Sequence, residues 1–546
     1  MAATYSQDGC NVTLQGKRAP TISPASAVSE PKSKALQEST FEWKKSRYEV
    51  SMEEFDRLKE KAHEANELTL REEVTDRFTT TKKADAGKSM ALDGGLDAEA
   101  KVEAGSAPGI MNTFEGIQAT GWYPADCTVA VGKTQVLLSV NSNLEVYDKT
   151  GNKLGSWPNL GKFFGSVIPA GIKVFDPVLL YDQFSDRFVV IAVAVDDVNL
   201  KSLLMIGVSD SDDACGPYWV WSSDATLNAN TATNDWGDYP IVGYDEDAIF
   251  VTLNMFQFGG NFTYSKMRIF NKAELLGAGV CQNQEIRYWD IWNIKDNGGT
   301  TAFSINPCIH YRTAGLNLPA YMMNAKGSGT SLNMWTLTNA LGGWAATPIN
   351  PTLTADSIAC MYYGYPPDAE QKGSGTLMAT NDTRLLSAVY MDDGTDQSIW
   401  ACHCSQVTWP GEAVSRSGGQ WYQVNASTKA MVQQNVFGAA GMYYFFPAIE
   451  VDQRGSAYMI MARSSATEYA SLYETGRRPT DTLGEMQPSV KICGGEGAYT
   501  VAATRQRWGD YFTAVRDGQD LYKVWVYGQY PVKNNKWSTW CASLRI

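Results

Sequence analysis

The chain has 546 residues, is 44% hydrophobic and 12% aromatic, and carries a formal net charge of -13 with an isoelectric point near 4.9. That acidity excludes a phosphate-backbone partner, because nucleic-acid binding requires a basic footprint. No run approaches the roughly 18 apolar residues of a membrane span, and Met1 to Cys10 lacks the apolar core of a secretory signal.

Residues 1–110 are rich in Lys, Glu, Ala and Ser, a composition poorly suited to a packed core. Within them Ser51-Met-Glu-Glu54 reads as a capping box, and Met52, Phe55, Leu58, Ala62, Ala65 and Leu68 recur at helical spacing. The spacing predicts an amphipathic helix over 52–77, read as a helix lying on the domain it precedes or as a propeptide or docking element. Lys82 to Pro108, full of Ala, Gly and Asp, reads as a linker.

From about residue 111 to 546 the texture changes to short alternating apolar runs separated by Gly, Asn and Asp. One signature is a short strand that often opens on Pro and ends on an aromatic residue or Val, often followed by Asp. Its copies are Asp126-Cys-Thr-Val-Ala-Val131, Asp176-Pro177-Val-Leu-Leu-Tyr181-Asp182, Tyr239-Pro240-Ile-Val-Gly-Tyr244-Asp245 and Asn306-Pro307-Cys-Ile-His-Tyr311. It continues as the weak copy Asp382-Thr-Arg-Leu-Leu-Ser387, then Phe446-Pro447-Ala-Ile-Glu-Val451-Asp452 and Tyr511-Phe-Thr-Ala-Val-Arg516-Asp517. Pro at a strand start loses no ladder bond, and the trailing Asp can accept N–H groups of the following turn. Between the copies lies a Trp-rich strand, at Trp157, Trp219/Trp221, Trp289/Trp292, Trp344, Trp421 and Trp537/Trp540. The two interleave at a period that suits a four-stranded blade. The fold expected is an all-β propeller of seven four-stranded blades, six being the alternative, behind a partly helical extension.

Trp236-Gly-Asp-Tyr239 recurs literally as Trp508-Gly-Asp-Tyr511. With Phe175–Phe188 and Ile206-Gly-Val-Ser-Asp210, these phrases resemble a loosely defined group of secreted microbial propeller proteins. The resemblance spans about 112–546 and implies a secreted or cell-surface propeller without implying an activity. Ten cysteines lean the same way; four Asn-x-Ser/Thr sequons, at Asn11, Asn261, Asn381 and Asn425, add little.

Chemistry is harder to read. With three histidines, His-rich metal centres are excluded. His63 falls in the predicted helix. His403, expected on a third strand, lies between Cys402 and Cys404 and should face away from both. His310 and Tyr311 could act as base and acid in a lyase, but neighbours on a strand face opposite ways, so a structural histidine is expected. Asp126, Asp176, Asp238, Asn306, Asp382 and Asp510 all stand at starts of the first signature, which a propeller brings to one mouth of its channel. Either they cap turns or a subset is functional. Asp176, Asp238 and Asp510, with His310, are the catalytic candidates; Asp126, Asp176, Asp238, Asn306 and Asp510 are the candidate ligands for calcium. Arg505 and Arg507, with Trp236, Tyr239, Trp508 and Tyr511, are the expected ligand contacts, and Arg187 is a further cation to place. Asp210–Asp213 and Asp392–Asp396 are acidic turns without the EF-hand register.

Two functions stay open. One is a non-catalytic module binding a glycan or a protein, through aromatic loops such as Met361–Tyr365 and Met442–Phe446. The other is an extracellular carbohydrate-active hydrolase or lyase using the mouth carboxylates. Carboxylates about 5 to 9.5 Å apart in an open pocket would favour the second.

Overall fold

The computed structural model describes residues 108–546, except 158, 277–284, 312–318, 346–348, 393–396 and 502–504, together with strand backbone at 3–6, 12–15, 17–18 and 91–92. The predicted helix over 52–77 and most of the linker lie outside the described residues. The rest folds as seven blades of four antiparallel strands, with the strands at 17–18, 12–15, 3–6 and 91–92 paired on the outer edges of blades 2, 3, 4 and 5.

Blade 1 is built from Thr128–Val131, Gln135–Val140, Asn143–Asp148 and Lys153–Trp157, and blade 2 from Lys173–Asp182, Arg187–Asp196, Lys201–Ser209 and Tyr218–Asp224. Blade 3 comprises Asp235–Tyr244, Ala248–Gln257, Phe262–Asn271 and Glu285–Trp292. In blade 4 the first strand is broken into Asn306–Pro307 and Ile309–His310, ahead of Ala320–Ala325, Gly329–Thr338 and Thr352–Tyr363. Blade 5 runs through Ser387–Asp392, Gln397–Val407, Arg416–Asn425 and Met431–Gly438, and blade 6 through Tyr443–Val451, Ala457–Ser465, Glu468–Arg477 and Val490–Cys493. Blade 7 takes Thr513–Arg516, Val524–Val532 and Lys536–Arg545 from the C-terminus and its outermost strand, Gly109–Gln118, from the start of the domain. Both ends of the domain therefore share one sheet.

The first-signature segments form or lead into the innermost strands, and the trailing aspartates behave as their chemistry requires. Asp245 accepts N–H bonds from Asp247 (2.9 Å) and Ala248 (2.7 Å), Asp452 from Arg454 (2.8 Å) and Ser456 (3.0 Å), and Asp517 from Gln519 (2.8 Å) and Asp520 (2.9 Å). The repeated Pro marks a bulge. Asp176, Tyr239 and Phe446, each just before Pro, have φ of 49°, 53° and 52°, and the ladder slips between Phe175 and Val178, Asp238 and Ile241, and Phe445 and Ala448. Pro cannot donate to the ladder, so the break in pairing that a bulge requires falls there without losing a bond. Gly243 meets a different demand: a Cβ there would lie 2.5 Å from the Cys308 carbonyl oxygen, where the innermost strands of blades 3 and 4 touch.

A bond crosses every joint of the ring. Leu179 N–H donates to Thr128 Oγ1 (3.0 Å), Gly237 N–H to Ser202 Oγ (3.0 Å), Ser304 N–H to Asn254 Oδ1 (2.8 Å) and the Asn306 amide to the Leu385 carbonyl (2.6 Å). Ile449 N–H donates to Ser387 Oγ (2.9 Å), Arg516 Nε to the Val451 carbonyl (2.5 Å) and Thr513 Oγ1 to the Cys127 carbonyl (2.8 Å). The apolar core is divided in the same way. Separate clusters fill the joints between blades 1 and 2, 2 and 3, 3 and 4, 4 and 5, and 5 and 6, and one large cluster spans blades 6, 7 and 1. Each blade face is buried only by its neighbour, the property expected of a repeat architecture.

Several local expectations need correction. Trp157, Trp219, Trp221, Trp289 and Trp292 lie on fourth strands, whereas Trp421, Trp537 and Trp540 lie on third strands, and Trp344 ends a short 3-10 turn, Gly342–Trp344. His403 is on the second strand of blade 5, not the third. Met442–Phe446 is no exposed aromatic loop: Tyr443 to Phe446 open the innermost strand of blade 6 and are buried. Of Met361–Tyr365, Tyr362 is exposed at 55% while Tyr363 is enclosed.

Candidate functional site

All innermost strands run from an upper mouth, where the first signature begins, to a lower mouth. Between the two, Val178, Leu180, Ile241, Val242, Val389 and Val515 help line a channel that is mainly apolar. Tyr239 and Tyr511 stand at its upper end with rings edge to face, centroids 5.9 Å apart.

Above them the structure brings together Asp126, Asp176 and Asp510, from the starts of blades 1, 2 and 7, with one carboxylate oxygen of each within 4.8 Å of the others. All three are buried. Asp126 carries φ of 52° and accepts the Asp510 N–H (2.9 Å) on one oxygen and the Asn141 amide on the other. Asn141 in turn accepts the Asp176 N–H (2.9 Å), so one Asn and one Asp tie three blades together. Arg507 grips Asp510 through both carboxylate oxygens (2.9 and 2.8 Å). The tyrosines belong to the same network: Tyr239 donates to the Asp510 carbonyl (3.2 Å) and Tyr511 to that of Pro177 (2.8 Å). Burial, reinforced by the surrounding carboxylates, holds the Tyr511 hydroxyl far above the ordinary tyrosine range.

The other expected mouth residues are placed differently. Asp238 is buried one residue before the Tyr239 bulge, outside the three-carboxylate cluster. Asn306 spends its amide on Leu385. Asp382 forms a two-bond ion pair with Arg384 (2.8 and 2.6 Å), whose guanidinium lies 4.6 Å over the ring of Tyr239 and 5.1 Å over that of Phe303. Arg505 pairs with Asp368 (2.7 and 2.9 Å) in a three-stranded sheet formed by the insertions that precede blades 5 and 7. Trp508 is fully buried edge to face on Tyr499 at 5.0 Å, and Trp236 packs on Phe256 at 5.5 Å. Arg187 donates to the carbonyls of Ser185 (2.9 Å) and Asp186 (3.0 Å), in a turn toward the lower mouth. In the 210–213 turn Asp213 accepts from Gln135 (2.9 Å) and Cys215 N–H (2.9 Å); Asp392 lies on the lower rim, and 393–396 are outside the described residues.

The histidines of the propeller are structural in their surroundings. His310 is stacked 4.5 Å from Tyr390 and 5.9 Å from Tyr321, and burial lowers its pKa to about 3. His403 bonds the Thr383 carbonyl (2.6 Å) and Tyr422 (2.9 Å), while Cys402 and Cys404 face blade 6, so no metal triad forms from them. The eight described cysteines are all free thiols. No helix among the described residues is long and apolar enough to cross a membrane.

Beside the upper mouth, between blades 4 and 5, a groove of about 230 Å³ is lined by Asn324, Lys326, Ser328, Tyr365, Asp382 and Arg384, among others. Lys326 pairs with Asp296 on its rim, and Asn333 donates to Asn324 (2.8 Å) along its wall. Arg384 connects this groove to the mouth through Tyr239. Sequence reasoning missed Arg384 and Asn141. The spacing Asp382-x-Arg384 was a local hint of the first; nothing in the sequence singles out the second.

No family model matches the chain, and no curated protein matches its sequence. Among solved structures it is similar to an α-L-arabinofuranosidase, Arb93A, of Fusarium graminearum, at 7% identity and a TM-score of 0.36 over 80% of this chain and 98% of that one. A sialidase of Trypanosoma rangeli aligns at 10% identity and a TM-score of 0.33, over 74% of this chain and 57% of its own. A polysaccharide lyase, an ulvan lyase, aligns at 12% identity and a TM-score of 0.25, over 80% and 82%.

Proposed function

We propose that the protein is a binding propeller that takes a glycan in the groove between blades 4 and 5. The observation that carries this reading is the lining of that groove. Amides, hydroxyls, an aromatic ring and a fixed Asp382–Arg384 pair converge on one concave surface, the donor and acceptor mixture that a hydroxyl-rich ligand requires. The mouth carboxylates do not suit hydrolysis. They are buried, and Asp126 and Asp510 accept bonds that join blades or grip Arg507; a hydrolytic pair needs an open pocket and carboxyl groups free to meet the substrate. A glycan array read alongside a glycosidase and lyase screen tests the proposal. Binding without turnover is expected, with Lys326→Ala and Tyr365→Ala each weakening it about tenfold. Turnover abolished by Asp176→Asn, or no glycan bound, would overturn it.

A second reading concerns the carboxylates themselves. Asp126, Asp176 and Asp510 bring three buried carboxylates together, with Arg507 bonded to Asp510 and the Arg384 guanidinium acting on it from blade 5, and this gathering of buried negative charge favours a divalent cation. An all-oxygen set suits calcium rather than zinc. Bound calcium would add charge balance at the joint of blades 7, 1 and 2. The expected result is stabilisation of about 2.7 kcal/mol at calcium 100-fold above Kd, reversed by chelator and lost in Asp176→Asn. Identical melting with calcium and with chelator would sink this reading.

A further inference from the structure

The lower mouth holds a cavity of about 550 Å³, larger than the groove above and built from different residues. Its wall includes Tyr311 of blade 4, Met391 of blade 5 and Arg516 of blade 7, and its rim is formed by turns that carry Gln183, Gln453 and Gln519. Behind the wall Glu450 of blade 6 is fully enclosed. Tyr311 donates to one Glu450 oxygen (2.6 Å) and Val451 N–H to the other (2.8 Å), so both are engaged before any cation is considered.

Arg516 is therefore matched to weak partners. Its guanidinium lies 4.0 Å over the Tyr311 ring and 3.9 Å from Glu450, beyond hydrogen-bond reach. Nε donates to the Val451 carbonyl, and one terminal nitrogen donates to the Met391 thioether at 3.0 Å, a weak acceptor. The other charges nearby are paired off: Lys133 with Asp186 (2.5 Å) on the rim, and Lys272 with Asp182 (2.6 Å) beneath Tyr244. Asp392, on the blade 5 rim, faces Tyr390 and Gln397.

We propose that this lower mouth is a second binding site, for a small carboxylate-bearing ligand anchored on Arg516. A carboxylate offers the two parallel acceptors that a guanidinium fork prefers and that a thioether and a single carbonyl do not supply. The rim glutamines supply further donors for its second polar end.

Binding is coupled to Glu450. Burial, only partly offset by Arg516, pushes its pKa up to about 7. The groups facing it are Arg516, Tyr311 and, from blade 3, Tyr244, whose hydroxyl burial and the Asp182 and Glu450 carboxylates hold protonated. Below pH 7 Glu450 is mostly neutral and leaves Arg516 available. Above it the carboxylate competes for Arg516 and repels an incoming anion.

Calorimetric titration of the full chain with succinate, with succinamide as the neutral control, tests the site. Succinate should bind and succinamide should not. Affinity should be about tenfold weaker at pH 8 than at pH 6, and Glu450→Gln should hold the pH 6 affinity at both. Gln453→Glu, on an exposed turn clear of the buried network, should weaken succinate about tenfold and identifies the mouth used. Equal behaviour of succinate and succinamide, an unchanged affinity in Gln453→Glu, or a pH dependence that survives Glu450→Gln would overturn the proposal.

Discussion

Replacing Arg384 by Met is expected to destabilise the protein by about 3 to 5 kcal/mol. Both members of the Arg384–Asp382 pair are buried, at 4% and 5% exposure, so removing the guanidinium leaves a largely desolvated carboxylate without its counter-charge. The stacking of the guanidinium on Tyr239 and Phe303 adds packing that the thioether only partly replaces, while the backbone Arg384 N–H bond to Asp382 (2.8 Å) survives the change. Asp382→Asn should cost a comparable amount by stranding the cation. The double variant Asp382→Asn/Arg384→Met removes both charges and should recover most of the loss, because the energetic penalty lies in the unpaired charge. Urea unfolding of the four proteins measures the cycle. Additive losses would show that the pair is not the unit that matters and would separate the groove from the stability of the mouth.

The blades were legible because their signals are local. Pro177, Pro240 and Pro447 each mark a bulge, and Asp245, Asp452 and Asp517 each bond the turn that follows them within a few residues. The mouth was legible as a place, since strand starts in a propeller converge. Which carboxylates meet there was not. Asp126 and Asp510 are 384 positions apart, and their contact depends on the ring closing between blades 7 and 1. The same holds below, where Tyr311 meets Glu450 across 139 positions and Arg516 across 205.

Exposure was the least legible property. Trp236, Tyr239, Trp508 and Tyr511 read as ligand contacts because their motif repeats, yet they are at most 9% exposed. Their repetition reflects a structural demand at two strand starts. Met442–Phe446 read as an exposed aromatic loop, and its apolar run shows no strand alternation. An innermost strand packed on both faces has no solvent side, and so needs none.

Glu474 carries the second large expectation. It sits in the third strand of blade 6, opposite Ile460 and Val490, with no exposed surface, and neither carboxylate oxygen has a hydrogen-bond partner. Burial alone holds its pKa well above the ordinary value of 4.5. The folded protein therefore keeps a proton that the unfolded chain releases once pH passes 4.5, and stability must fall as pH rises. The loss is about 1.4 kcal/mol for each pH unit until the folded-state pKa is reached. Glu474→Gln keeps the shape and removes the ionisation. Its unfolding free energy should match that of the natural sequence near pH 4 and exceed it by a margin that widens at that slope toward neutrality. Parallel curves across this range would mean that Glu474 reaches a partner or water in solution. A widening gap would show that the joint between blades 6 and 7 is the acid-stabilised seam of the ring, since Ile460 belongs to the large cluster that also closes blade 7 on blade 1.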